Sequence, residues 1–455
     1  MTQAPNDAAE PPLTTAGDAR PAGGSARPAL VLGGVAFLAY ALLGTLRRGY
    51  GNVQDTYLML NTWNVLLHEG RYTPSRGTGY LPPELAIGLT SEVGGYRLAN
   101  GVVALMAALC LILAYLVVRR LADSRTALLT VLAIGLSPDW IVSASSSIDY
   151  LYSLGFFAIG VALLMRRRLI PAALVFGLSV GSRLTLAAAV FFVIVAAAVV
   201  HRDDRRYVRA LLACLAGAAI LSAAFFIPAF HAAGQSLAFA DLPETGGDFS
   251  VARSGANFLL RQLQFWGLPA LVLLVAVVLR YGRDYLRLTV SADSRLPPET
   301  RFLLLSSLLV FVFFELFFFR WPRQVGYLIP ALPAAAILLA LTRRHLTGSL
   351  ARWGLPALVA CVTVNCFAAV NLLKFPGGLE TPSNYLLLQP RTIVKLRDLP
   401  MRSRANENGE LGLFLSDGLF LADWEYRDSR QRQWMAWLRE HWPQHGPQAA
   451  SVNGG

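Results

Sequence analysis

Charged residues are scarce in this chain: Asp, Glu, Lys and Arg make up 15% of its 455 residues, whereas 55% are hydrophobic. Soluble domains carry roughly a quarter charged residues, so water is not the main solvent of this sequence. Lysine is scarcer still, since Lys374 and Lys395 stand against an otherwise all-arginine set of 40 basic residues. Cysteine occurs at Cys110, Cys214, Cys361 and Cys366, each inside an apolar run and none at metal-ligand spacing. No disulfide framework or zinc site is implied. Residues 1–28 lack the basic start and apolar stretch of a signal peptide and read as a disordered cytoplasmic tail. No internal repeat of the kind that marks inverted-repeat transporters stands out.

Long apolar runs are what the sequence has in quantity. Mean hydropathy is +0.48, and runs of about 17 or more apolar residues recur, close to the length that crosses a hydrocarbon core of roughly 30 Å. They predict an all-α polytopic membrane protein of about eleven spans, near 29–46, 99–118, 126–136, 148–165, 169–181, 184–200, 210–230, 265–279, 302–319, 325–341 and 354–373. The third and the fifth are short for full crossings.

A net charge of +12 suggests nucleic acid until the placement of the charge is read. Arginines cluster at alternate span ends: Arg119, Arg120 and Arg125; Arg166 to Arg168; Arg202, Arg205, Arg206 and Arg209; Arg280, Arg283, Arg287, Arg295 and Arg301; Arg343, Arg344 and Arg352. These outnumber the arginines of the intervening loops, and the positive-inside rule puts them in the cytoplasm. The amino terminus is then inside, and the segment 374–455 is an extracytoplasmic tail or small domain holding a strand near Leu411 and a helix over 429–442. Arg47 and Arg48 at the outer end of the first span are a local signal of the opposite sense.

The cytoplasmic loops are short, so chemistry is expected on the outer face. In the first outer loop, 47–98, the spacing predicts an amphipathic helix from about Val53 to Gly70, followed by the turn-rich run from Tyr72 through Arg76 and Tyr80 to Glu84. Asp55 opens that helix, and Asp149 closes the second outer loop; either also suits a helix N-cap. As a pair on the outer face they suit a general base and a metal ligand. Arg183 interrupts the apolar stretch 169–200, where snorkelling to the interface is the plain alternative. Arg320 and Arg323 are further outer-end cations, and Glu315 lies deeper in its span, where a structural ion pair competes with a functional role.

These residues resemble the GT-C superfamily of membrane glycosyltransferases, of the mannosyltransferase and aminoarabinose-transferase kind. The likeness rests on Asp55 early in the first outer loop, the run Gly70, Tyr72, Ser75, Arg76, Gly79, Tyr80, Pro82 and Glu84, the segment Ser137, Pro138 and Asp149, and the late stretch Arg323, Tyr327, Leu328, Ile329, Pro330 and Pro333. A paired acidic motif of protein mannosyltransferases is absent, because Thr56 follows Asp55. The resemblance implies inverting transfer of a sugar from a polyprenyl-phosphate carrier to a lipid, glycan or protein acceptor at the outer face of a bacterial cytoplasmic membrane. It implies Asp55 and Asp149 as catalytic acids, with a divalent metal between them if one is held. Arg183, Arg320, Arg323 and Tyr327 would bind the carrier phosphate, and Tyr72, Arg76, Tyr80 and Glu84 would form a substrate loop. A polytopic transporter or lipid flippase is the alternative.

The arginine pattern yields a direct test. Reporter fusions or cysteine labelling should place the loop between Arg280 and Arg301 in the cytoplasm and the segment after Lys374 outside; a tail labelled only from the inside would overturn the topology.

Overall fold

The computed structural model describes residues 26–46, 50–51, 54–76, 78–232, 251–290, 296–322, 325–373, 385–390, 402–405 and 411–414. The helices run in order as α1 (Arg27–Leu46), α2 (Gln54–Glu69), α3 (Leu81–Leu121), α4 (Ser124–Gly135), α5 (Pro138–Ala144), α6 (Tyr150–Met165) and α7 (Leu169–Ser182). They continue as α8 (Leu186–Val200), α9 (Arg205–Ala232), α10 (Val251–Trp266), α11 (Leu268–Val290), α12 (Pro298–Arg320), α13 (Ala331–His345) and α14 (Ser349–Asn365). A 3-10 turn, Val325–Leu328, leads into α13.

Five helical stretches among the described residues are long and apolar enough to cross a membrane, and seven if each of two bent pairs counts as one span. The bent pairs are α4 with α5, at 74°, and α10 with α11, at 107°. The apolar helices α6, α7 and α8 are shorter, at 16, 14 and 15 residues. This is an integral membrane protein built from helices. Its lipid-facing character shows on α1, where Leu30, Val31, Val35, Leu38 and Leu42 are all exposed while Ala29, Gly33, Tyr40 and Gly44 face inward. Such a stripe would aggregate in water and suits lipid.

Several elements depart from the expectation of about eleven spans: α10 falls between two of them, α11 runs on to Val290, and α13 starts only at Ala331. The helix carrying the second span begins at Leu81, well before 99, because Pro82 and Pro83 occupy its first turn, where a missing N–H costs nothing. It bends at Gly95, with φ of 62°, before entering its apolar half. The final span expected over 354–373 ends at Asn365, whose side-chain amide donates to the Phe265 carbonyl at the end of α10 (3.0 Å). The chain then leaves as strand β1 (Ala368–Leu373), paired antiparallel with β2 (Tyr385–Pro390). Further on, β3 (Arg402–Ala405) pairs with β4 (Leu411–Phe414), so the strand expected near Leu411 is present. The helix expected over 429–442 lies outside the described residues.

Helix α3 is the hub, packing against α1, α2, α4 and α6. Close approach elsewhere depends on small residues: Gly177 and Gly181 of α7 leave room for Leu221 and Phe225 of α9, where an added Cβ would come within 2.7 and 2.5 Å of those side chains. Helices in lipid commonly pack through such a small-residue pair one turn apart.

The loops at this end of the bundle are stitched together by side chains that cross between helices. Ser147 donates its N–H to the Tyr50 carbonyl (2.7 Å) and its hydroxyl to Asn100 of α3 (2.7 Å). Asn100 in turn donates to the Gly44 carbonyl near the end of α1 (3.1 Å). The segment before α6 is thereby held in one place, and Asp149 with it.

Candidate active site

Between α2 and α3 the chain makes a tight excursion, and Glu84 organises it. This carboxylate sits in the first turn of α3, fully buried. It accepts from the Tyr72 hydroxyl (2.6 Å), the Ser75 N–H (3.0 Å), the Ser75 hydroxyl (2.5 Å) and the Tyr80 N–H (3.1 Å). Without donors a buried carboxylate costs several kcal/mol; here the donors, together with the positive end of the helix dipole, offset that cost. Gly79, at φ of 64°, allows the closure, since a Cβ there would lie 2.6 Å from the Tyr72 hydroxyl oxygen. Burial, followed by the charge of Glu84, pushes the Tyr72 hydroxyl up, so it stays protonated and donates.

Closing that loop delivers Arg76 to Asp149. The Arg76 guanidinium presents Nη1 and Nη2 to the two oxygens of Asp149, each at 3.3 Å, and Nη2 also meets Asp55 at 2.8 Å. From the opposite direction Arg183, in the turn between α7 and α8, donates Nη1 to Asp149 at 2.6 Å. Asp149 is wholly enclosed and the Arg183 side chain is 3% exposed, whereas the side chains of Arg76 and Asp55 are 19% and 16% exposed. The cluster therefore has a sealed end at Asp149 and Arg183 and an open end at Asp55 and Arg76.

Aromatic rings complete the cage. Tyr80 lies 5.2 Å from the Arg76 guanidinium, and Tyr150 and Tyr327 lie 3.9 and 5.0 Å from that of Arg183. A desolvated cation over such faces gains about 2 kcal/mol. Burial alone would raise the Asp149 carboxyl, but Arg76 and Arg183 together hold it below the ordinary carboxylate value. Burial would likewise lower the Arg76 guanidinium, and Asp149, then Asp55, raise it instead. The cluster thus sets two carboxyl groups against two guanidiniums. Arg76 Nε is buried with no acceptor among the described residues.

The structure brings together Asp55, Asp149, Arg183 and Tyr327 of the residues singled out from the sequence, and adds Arg76 and Tyr80 from the expected substrate loop. Tyr72 and Glu84 of that loop bond to each other and shape it. Arg183 turns inward and does not snorkel. Arg320 is exposed at the end of α12, its guanidinium 4.9 Å from the Trp321 ring, and Arg323 lies outside the described residues. Glu315 accepts a hydrogen bond from Gln262 of α10. Sequence reasoning missed Tyr150, although an aromatic directly after a loop acid was a visible signal. A divalent ion would need Asp55 and Asp149 as ligands; both are engaged by guanidiniums and Asp149 is sealed, so this pair does not fit one. Among the described residues no three His, Cys, Asp or Glu side chains converge elsewhere.

Asp149→Ala should leave two buried guanidiniums without their shared partner and cost about 3–5 kcal/mol. Denaturant unfolding in detergent would read this, and adding Arg183→Met to the same chain should recover part of the loss. A single variant as stable as the parent would show that water, not Asp149, compensates those charges.

No protein-family model and no curated protein matches the chain. Among solved structures it is similar to ArnT from Cupriavidus metallidurans bound to undecaprenyl phosphate, at 20% identity and a TM-score of 0.47, over 71% of this chain and 61% of that one. The apo form of the same protein gives 19% identity and a TM-score of 0.47 over 71% and 61%. The Archaeoglobus fulgidus oligosaccharyltransferase in complex with zinc and sulfate gives 16% and 0.42, over 72% of this chain and 52% of that one. The chain thus spans about six tenths of the ArnT structures and half of the oligosaccharyltransferase.

Proposed function

We propose that the chain is a GT-C-type membrane glycosyltransferase that moves a sugar from a polyprenyl-phosphate carrier to an acceptor hydroxyl or amine at the outer face. The observation that supports this most is the open end of the charge cluster, where one arginine, Arg76, faces a partly exposed carboxylate, Asp55, and carries a buried N–H with no acceptor among the described residues. Catalysis of this transfer needs those two groups side by side: a base for the acceptor proton and a fixed cation for the departing phosphate.

In the reaction the acceptor atom attacks the anomeric carbon, and the bond from that carbon to the carrier phosphate oxygen breaks. The acceptor proton passes to Asp55. The carrier leaves as a phosphomonoester with about one more negative charge than the diester had. A guanidinium in a water-poor cage stabilises that added charge more than it stabilises the ground state, and its planar fork suits phosphate oxygens. Arg76 takes this role at the open end, with Arg183 behind it and Tyr327 beside. Asp149 acts as a positioning residue that holds both guanidiniums. Arg320 and Arg323, at the outer end of α12 and beyond it, would draw the carrier phosphate toward the mouth. Residues 29–373 would form the transferring domain, and 374–455 an appendage outside. A single displacement inverts the anomeric configuration.

Purified full-length protein given a labelled polyprenyl-phosphate sugar tests this. Asp55→Asn keeps the size and removes the charge, and should lower turnover by about a hundredfold to ten-thousandfold. Arg76→Ala should cost roughly a hundredfold, about 3 kcal/mol, with Arg76→Lys recovering part of it. Rates per folded molecule equal to the parent in both Asp55→Asn and Arg76→Ala would overturn the proposal.

A further inference from the structure

The far end of α6 holds a residue in a place its backbone does not favour. Counting 1.5 Å per residue, the turn after Met165 lies about 24 Å along α6 from the Asp149 cluster. The Arg168 N–H donates to the Leu163 carbonyl and the Arg167 N–H to the Leu164 carbonyl, both at 2.9 Å, which is the six-to-one and five-to-two pattern of a helix C-terminus that glycine normally completes. Here the left-handed position is filled by Arg167, with φ of 56°, the sole non-glycine residue of positive φ among those described. Strain at a non-glycine residue persists where the surrounding structure holds the conformation in place.

That side chain reaches over the Tyr207 ring at 4.9 Å, and Tyr207 meets His201 edge-on at 5.1 Å. The three line a cavity of about 300 Å³ whose other wall is apolar, from Leu164, Met165 and Phe302. Arg166 and Arg168 flank Arg167 in the chain, Arg202, Arg205 and Arg206 follow His201 closely, and all five are exposed. One acid, Glu299, lines the cavity and is paired with Arg120 at 2.7 Å; Asp204 accepts the Tyr207 N–H at 3.0 Å, and Asp203 is exposed. Helix α12 also begins at the cavity, adding the positive end of its dipole. The arginine pattern assigns this end of the bundle to the cytoplasmic leaflet, where anionic lipids meet basic pockets between helices.

We propose that this cavity binds the phosphate head group of an anionic membrane lipid, with Arg167 and His201 on the phosphate oxygens and Leu164, Met165 and Phe302 against the first methylenes of an acyl chain. The site is separate from the Asp149 cluster and does not depend on the transferase reading.

Full-length protein in neutral detergent is titrated with phosphatidylglycerol, phosphatidylcholine or inorganic phosphate, and read by native mass spectrometry and unfolding temperature. Phosphatidylglycerol should be retained and raise the unfolding temperature, and the other two should not. Arg167→Gly relieves the backbone, so without lipid it should unfold at the parent's temperature or above, while binding phosphatidylglycerol at least about tenfold more weakly. His201→Gln, which leaves the turn intact, should weaken binding in the same direction. Unchanged phosphatidylglycerol binding in both variants, or equal retention of phosphatidylcholine, would overturn the proposal. The same stabilisation from inorganic phosphate would also overturn it, by assigning the cavity to a soluble anion.

Discussion

Two guanidiniums share the Asp149 carboxylate inside a helical bundle, and the meeting of three stretches of chain far apart in sequence follows from that sharing. A lone buried charge of either kind is costly in such surroundings, and removal of one partner from a buried pair is more damaging than replacement of the whole set. The loop carrying Arg76, the segment before α6 and the turn before α8 therefore close on one another or not at all. The stitches from Ser147 to Tyr50 and Asn100, and from Asn100 to Gly44, serve the same end by fixing where Asp149 stands. Glu84 does so for Arg76, through neutral donors in place of a second cation.

Much of this was legible in the residues. Apolar length located α1, α6, α7, α8, α9 and α12 to within a few positions, because in lipid a helix must satisfy its own backbone and its length is set by the solvent. Helix α2 was legible from its apolar spacing. The start of α3 was not, since two adjacent prolines mark a turn as readily as a helix opening, and only Glu84's donors show which was chosen. The end of α14 was hidden for another reason: the run beyond Asn365 stays apolar, and hydropathy does not separate a strand from a helix.

In the site, the sequence pointed to Asp55, Asp149 and Arg183 as charges in unusual places, and the structure gives the reason for each by pairing them. Spacing along the chain carried no information that Arg76 would insert between the two acids, because that contact depends on a loop closure set by Gly79 and Glu84. Arginine counts had drawn Arg320 into the same group, but a helix end and a buried cluster present the same sequence signal, a cation flanking an apolar run. Burial separates them: Arg183 is 2% exposed, and Arg320 lies on the surface.

Because Arg76 touches both Asp55 and Asp149, the cage is electrically balanced, and the proposed transfer would keep its total charge constant throughout. Whatever negative charge the departing phosphate gains, Asp55 loses by taking a proton, so the step moves charge across one guanidinium and leaves the surroundings unpolarised at long range. A site of that kind can work within a poorly hydrated bundle without drawing in counterions. In that proposal the proton remains on Asp55 after the sugar has gone, and the return of Arg76 to that carboxylate would expel it through the open end of the cluster, so that pairing and resetting are one event.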